Sequence, residues 1–117
     1  MDPISYPTLE ISGREVSLKF RQYDVIALSK AGIDLQNMKP LSLLSAAGIE
    51  QNLLLLKHAV AHEIEISVDE LSKQFEFGDA ARIDLALASA IKKAASQIAG
   101  TMAASAVETA KTTEAVQ

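Results

Sequence analysis

The sequence predicts a mainly α (α+β) protein. An N-terminal β-hairpin is followed by a bundle of about four to five helices, the last of them long and alanine-rich. Three observations predict this. Apolar and polar residues alternate on both sides of Gly13-Arg14, which is the period of a strand. From residue 21 onward apolar residues recur three and four positions apart, the period of a helix. Residues 86–107, ALASAIKKAASQIAGTMAASAV, are dominated by small residues that favour helix while each buries little area.

The 117 residues fit one domain with one modest core. The expected division is an arm over 1–7, a single helical domain with its hairpin over 8–107, and a flexible polar tail over 108–117. Trp is absent, and only three Phe and two Tyr are present, so Leu, Ile and Val must build the core. A net charge of −4 argues against a nucleic-acid surface, which needs a cationic field. The lack of cysteine removes disulfides, thiolate metal sites and thiol nucleophiles, and fits a cytoplasmic protein. MDPISYPTLE has neither the basic start nor the apolar run of a signal peptide. The most apolar long stretch carries Lys92 and Lys93 and is too polar to span a membrane.

Along the chain, Leu9 and Ile11 alternate with Thr8, Glu10 and Ser12. Val16, Leu18 and Phe20 alternate with Glu15, Ser17 and Lys19. Gly13 at the first position of a Gly13-Arg14 turn suits type II′. RQYDVIALSKAG predicts a helix over 21–31. Tyr23, Ile26, Ala27 and Lys30 share its face, Val25 and Leu28 widen that face, and Gly32 ends the helix. Ile33 and Leu35 tuck inward from the connection. Pro40 opens a helical turn through LSLLSAA, and Gly48 breaks it. In IEQNLLLLKHAVAHEI, the residues Ile49, Leu53, Leu56, Val60 and Ile64 form a stripe that Leu54 and Leu55 spread around the helix. A helix apolar over most of its circumference is central. SVDELSKQF carries a capping box, Ser67 with Glu70, on a short helix stopping near Gly78. Asp79 caps the last helix. That helix runs from Ala80 to at least Ile98 and no farther than Val107, with Ile83, Leu87, Ile91, Ala94, Ile98 and Met102 as its stripe.

Alanines recur every fourth residue at Ala86, Ala90 and Ala94, and again at Ala95, Ala99 and Ala103. Such rows let a second helix approach closely. The heptad pattern fails at Asp84, Thr101 and Ser105, which excludes a long autonomous coiled coil. Residues 83–94 close the domain's own core. Beyond residue 95 the helix outruns a domain of this size, because twenty residues span about 30 Å.

Chemistry is thinly represented. His58, His62 and Glu65 fall at i, i+4 and i+7, one face of a helix. Two imidazoles one turn apart can bind zinc, but Ala59 stands where the metalloprotease helix has its Glu, and there is no third His. Carboxylates at Asp69 and Glu70 are ordinary first-turn residues. No glycine-rich phosphate loop occurs. Arg14, Lys19 and Arg21 are balanced by Glu10, Glu15 and Asp24. No catalytic residue, metal site or cofactor is expected.

The order of elements resembles the small tail assembly chaperones of tailed bacteriophages. The likeness runs from LEISGREVSLKF directly into RQYDVIALSKAG, then IEQNLLLLKHAVAHE, SVDELSKQF and an alanine-rich terminal helix, over residues 8–99. The resemblance implies a binding protein rather than an enzyme. Its client is the tape measure protein, a long apolar helical rod kept soluble until tail tube subunits polymerise around it, with the tail tube protein as a further contact. It also implies a homo-oligomer working in the host cytoplasm and absent from the mature virion, with no nucleic-acid or membrane partner. Leu87, Ile91, Ile98 and Met102 are the expected partner contacts. The alternative is a structural or adaptor subunit of a phage tail retained in the virion.

Overall fold

The structure is a computed structural model that describes residues 6–38 and 41–116, from residue 100 onward as helical backbone only. It has a two-stranded hairpin followed by four α-helices, the last of them long.

Strands β1 (Thr8–Ile11) and β2 (Arg14–Ser17) pair antiparallel, with Leu9 opposite Val16 and Ile11 opposite Arg14. Leu9, Ile11, Val16 and Leu18 bury the inner face. The turn is Ser12-Gly13, not Gly13-Arg14. Both residues have positive φ, 56° and 75°, which makes it type I′ rather than II′. The I′ twist matches that of paired strands. Ser12 is held in this left-handed conformation by Gln74 at the end of α3. The Ser12 N–H donates to Gln74 Oε1, and Gln74 Nε2 donates to Ser12 Oγ, both at 2.8 Å. Beyond the strands, the Leu18 N–H donates to the Pro7 carbonyl (2.8 Å) and the Lys19 N–H to the Ala59 carbonyl (2.9 Å). The second of these bonds ties the hairpin to the end of the central helix.

Helix α1 (Gln22–Lys30) keeps Leu28 buried and Ala27 half-buried, as expected, but is rotated so that the rest of the expected face is exposed. Its buried residues are Asp24 and Leu28, while Tyr23 and Ile26 stand 72% and 57% exposed and Val25 is also exposed. The physical reason lies in Asp24. Arg21 and His58 converge on its carboxylate and draw it inward, and rotating Asp24 in rotates the apolar row out. The helix ends as expected. Gly32 takes φ 90°, its N–H donates to the Ser29 carbonyl, and the Ile33 N–H donates to the Leu28 carbonyl. This is the Schellman pattern that needs a residue free to adopt positive φ. Ile33 and Leu35 pack inward on the core.

Helix α2 (Ala46–Val60) begins at Ser45, whose Oγ accepts from the Gly48 N–H at 3.1 Å. Gly48 therefore lies inside the first turn rather than breaking a helix. A Cβ there would come within van der Waals overlap of the Ser42 carbonyl, so glycine is required by close approach, not by a chain break. The helical turn predicted before it is replaced by a tight turn at 43–44, and Pro40 lies outside the described residues. Leu53, Leu55, Leu56, Ala59 and Val60 are buried. The helix packs on α1, α3, α4 and β2, the central position its all-round apolar surface predicts.

Helix α3 (Val68–Gln74) has Ser67 as its cap, accepting from the Glu70 N–H at 3.1 Å. A 3-10 turn, Phe77–Asp79, then runs directly into α4 (Ala80–Val116). Asp79 does not stand ahead of the helix as its cap. Its carboxylate reaches back to the Glu76 N–H at 2.9 Å and pairs with Arg82 at 3.2 Å, because the prepended turn moves the cap position to Glu76. Both interactions hold the Asp79 carboxyl below its ordinary value, the Glu76 bond foremost. In α4, Ile83, Leu87 and Ala90 are buried, Ile91 and Ala94 half-buried, and 95–99 exposed. Helical backbone continues past Val107 to Val116, where alanine, lysine and glutamate sustain helix without an apolar stripe. No helix among the described residues is long and apolar enough to cross a membrane.

Candidate partner-binding groove

An apolar opening lies between α4, the first half of α2 and the segment that leads into it. Leu55 and Leu87 form its floor, each only 2% exposed. Met38, Leu41 and Leu43 form one wall, and Ala88 and Ile91 the other. Gln51, Asn52 and Asp84 supply a polar end, where Asn52 Nδ2 donates to Asp84 Oδ1 at 3.3 Å. The groove encloses about 250 Å³. Pockets for whole small molecules usually run from about 300 to 1,000 Å³, so this one suits one or two inserted side chains.

Local sequence explains the shape. Gly48 lets the 42–45 turn lie directly on α2, which holds Leu41 and Leu43 beside α4. The turn is fixed by Ser42 and Ser45: Ser45 Oγ donates to the Ser42 carbonyl at 2.8 Å, and the Leu44 N–H donates to Ser42 Oγ at 3.1 Å. Two sequence neighbours of lining residues are large, apolar and exposed. Leu44, next to Leu43, is 80% exposed, and Leu85, beside Asp84, is 71% exposed.

The sequence-derived contact residues divide three ways. Leu87 is spent inside the core and offers a partner only the floor of the groove. Ile91 is half-buried and lines the groove wall. Ile98 stands 61% exposed on α4, while the Met102 side chain lies outside the described residues. Sequence reasoning missed Leu41, Leu43, Leu44, Asp84 and Leu85. The available signal was LSLLS, an apolar run tied to no helical stripe, and Leu85, a large apolar residue off the α4 stripe.

Two polar clusters bring chemistry-bearing side chains together. Asp24 is fully buried, and Arg21 binds it with two prongs: Nε to Oδ2 at 2.9 Å and Nη2 to Oδ1 at 3.0 Å. The Arg21 N–H adds a third bond at 2.9 Å. His58 Nδ1 lies 3.7 Å from Oδ1. Burial pushes the Asp24 carboxyl up, but the bonds and charge of Arg21, helped by His58, outweigh burial and hold it below its ordinary value. The same carboxylate raises the Arg21 guanidinium. With its oxygens taken by Arg21, Asp24 is a positioned structural anion.

In the second cluster, His62 Nε2 lies 3.0 Å from Ser17 Oγ, a distance suited to a nucleophile and its base. The rest of a relay is not assembled. Glu63 sits on the same side, 3.6 Å from Nε2, and takes the Ser17 hydroxyl at 3.1 Å, while His62 Nδ1 is buried without a partner among the described residues. A relay needs the acid on the far nitrogen to orient the ring. Arg14 closes the cluster by pairing with Glu63 at 3.2 Å. The two histidines do not share a helix face, because α2 ends at Val60 and His62 lies in the turn beyond it. No group of three or more metal-ligating side chains occurs among the described residues.

No family model, curated protein or solved structure matches this chain. The groove and the exposed apolar residues around it are therefore the whole basis for a functional reading from structure.

Proposed function

We propose that this chain is a tail assembly chaperone of a tailed bacteriophage, a binding protein and not an enzyme. It binds the tape measure protein, keeps it soluble and helps the tail tube polymerise around it. The observation that carries the reading is the apolar groove between α4 and the residues Met38, Leu41 and Leu43. A client helix is recognised by laying apolar anchors into such a groove. Binding the client in its unassembled state draws it away from aggregation by mass action. The acidic balance of the chain keeps the loaded complex soluble. The protein works in the host cytoplasm, as a homo-oligomer, without cofactor, nucleic acid or membrane, and leaves before the virion matures.

Co-expression with the tape measure protein of the same phage tests this. The client moves into the soluble fraction with the wild-type chain. If it stays equally insoluble with and without the chain, the proposal is wrong. Protein analysis of purified virions separates the second reading, since a structural or adaptor subunit stays in the particle and a chaperone does not.

A further inference from the structure

From the groove's charge and size we infer the kind of segment it accepts: an amphipathic helix of another protein that presents one or two apolar side chains beside a lysine or arginine. The inference deepens the chaperone reading and rests on the same groove.

Four observations converge on this occupant. The groove volume, about 250 Å³, admits side chains but not a cofactor. Its floor and walls are aliphatic: Leu41, Leu43, Leu55, Leu87 and Ile91. The one charged side chain among its described lining residues is Asp84, whose partner Asn52 is neutral. The nearest cation on the same helix is Arg82, two residues before Asp84, and it pairs with Asp79 at 3.2 Å. Residues two apart on a helix do not face each other, so Arg82, held by Asp79, leaves Asp84 available to an incoming cation. An apolar segment without charge would fill the groove but leave Asp84 beside a dry interface, an unpaired charge at a desolvated rim. A segment carrying an acid at that point would be repelled.

The probe is a synthetic amphipathic helix of about 15 residues, long enough to hold helical structure, with leucines at i, i+3, i+4 and i+7. One version carries lysine beside the leucine row, and the other carries glutamate at the same positions. Binding is read by fluorescence anisotropy on the full chain. The lysine peptide binds saturably and about threefold or more tighter than the glutamate peptide, the scale of one exposed ion pair. Asp84→Asn keeps the oxygen that accepts from Asn52 and closes that gap. Ala88→Arg fills the groove from an exposed position and abolishes binding of both peptides. Leu41→Arg repeats the block from the opposite wall should the first variant fold poorly.

Equal binding of the two peptides, or binding that survives both blocking variants, overturns the inference. So does self-association of the chain that the lysine peptide displaces, because the groove then belongs to a second copy. The peptide derives from no phage protein. Its failure therefore leaves the chaperone reading to the co-expression result, and a failed co-expression leaves the peptide result standing.

Discussion

Asp24 sets the orientation of α1, although Tyr23, Val25, Ile26 and Leu28 of the same helix are large and apolar. Its carboxylate is fully buried and receives three hydrogen bonds from Arg21. Hydrogen bonds to charged groups contribute roughly 1.5–3 kcal/mol each, and removing one partner leaves the other unsatisfied. Asp24→Ala should therefore lower unfolding stability by about 2–3 kcal/mol, measured in urea. The pH dependence follows from the direction of the shift. The folded carboxyl lies below its unfolded value, so its stabilisation is complete above about pH 4 and is lost as pH falls through the folded value. Asp24→Asn should flatten the acid limb of the stability profile below about pH 4.

Gly48 gives a second residue-scale prediction with an unusual sign. Alanine normally improves a helix interior over glycine by about 1 kcal/mol. At Gly48 the new methyl would overlap the Ser42 carbonyl, so Gly48→Ala should instead destabilise by about 1–3 kcal/mol in the same assay. Both residues were visible in the sequence but not their roles. The Arg21/Asp24 spacing announces an ion pair without saying that it faces inward. A lone glycine reads equally as a break or as a close contact.

Among the elements, the hairpin and α2 were legible because their apolar periods are long and consistent. Leu9, Ile11, Val16 and Leu18 are buried on one face, and the Leu-rich helix is central. The turn type was not legible. Ser12 adopts positive φ only because Gln74, far along the chain, clamps it from both sides. Only part of the α1 face was legible, Ala27 and Leu28 but not Tyr23 or Ile26, since a nine-residue helix offers too few positions for the apolar row to outweigh one buried ion pair. The groove was only half legible. Ile91 was named, but the wall formed by Leu41 and Leu43 depends on a turn that periodicity does not report. The caps, by contrast, follow local rules. Ser45→Ala and Ser67→Ala should each lower the thermal midpoint, at about 1 kcal/mol per lost cap.

At the scale of the whole molecule, the described residues divide into a buried core and an apolar surface left over. Leu28, Leu56 and Leu71 are fully buried, while Leu44, Leu85 and Ile98, and Tyr23 and Ile26 on α1, stay exposed. Single exposed apolar residues are ordinary, so the proposed recognition rests on the groove rather than on them. The polar clusters near the hairpin fasten β2 to the turn after α2 and α1 to α2, and none of their residues lines the groove. Binding should therefore protect one region and spare another.

The most direct test is amide hydrogen exchange on the full chain, alone and with the tape measure protein of the same phage. The account predicts slowed exchange at 41–44 and 84–91 in the complex, with the hairpin turn at 12–13 unchanged. Unchanged exchange at 41–44 and 84–91 while the two proteins remain bound would contradict it.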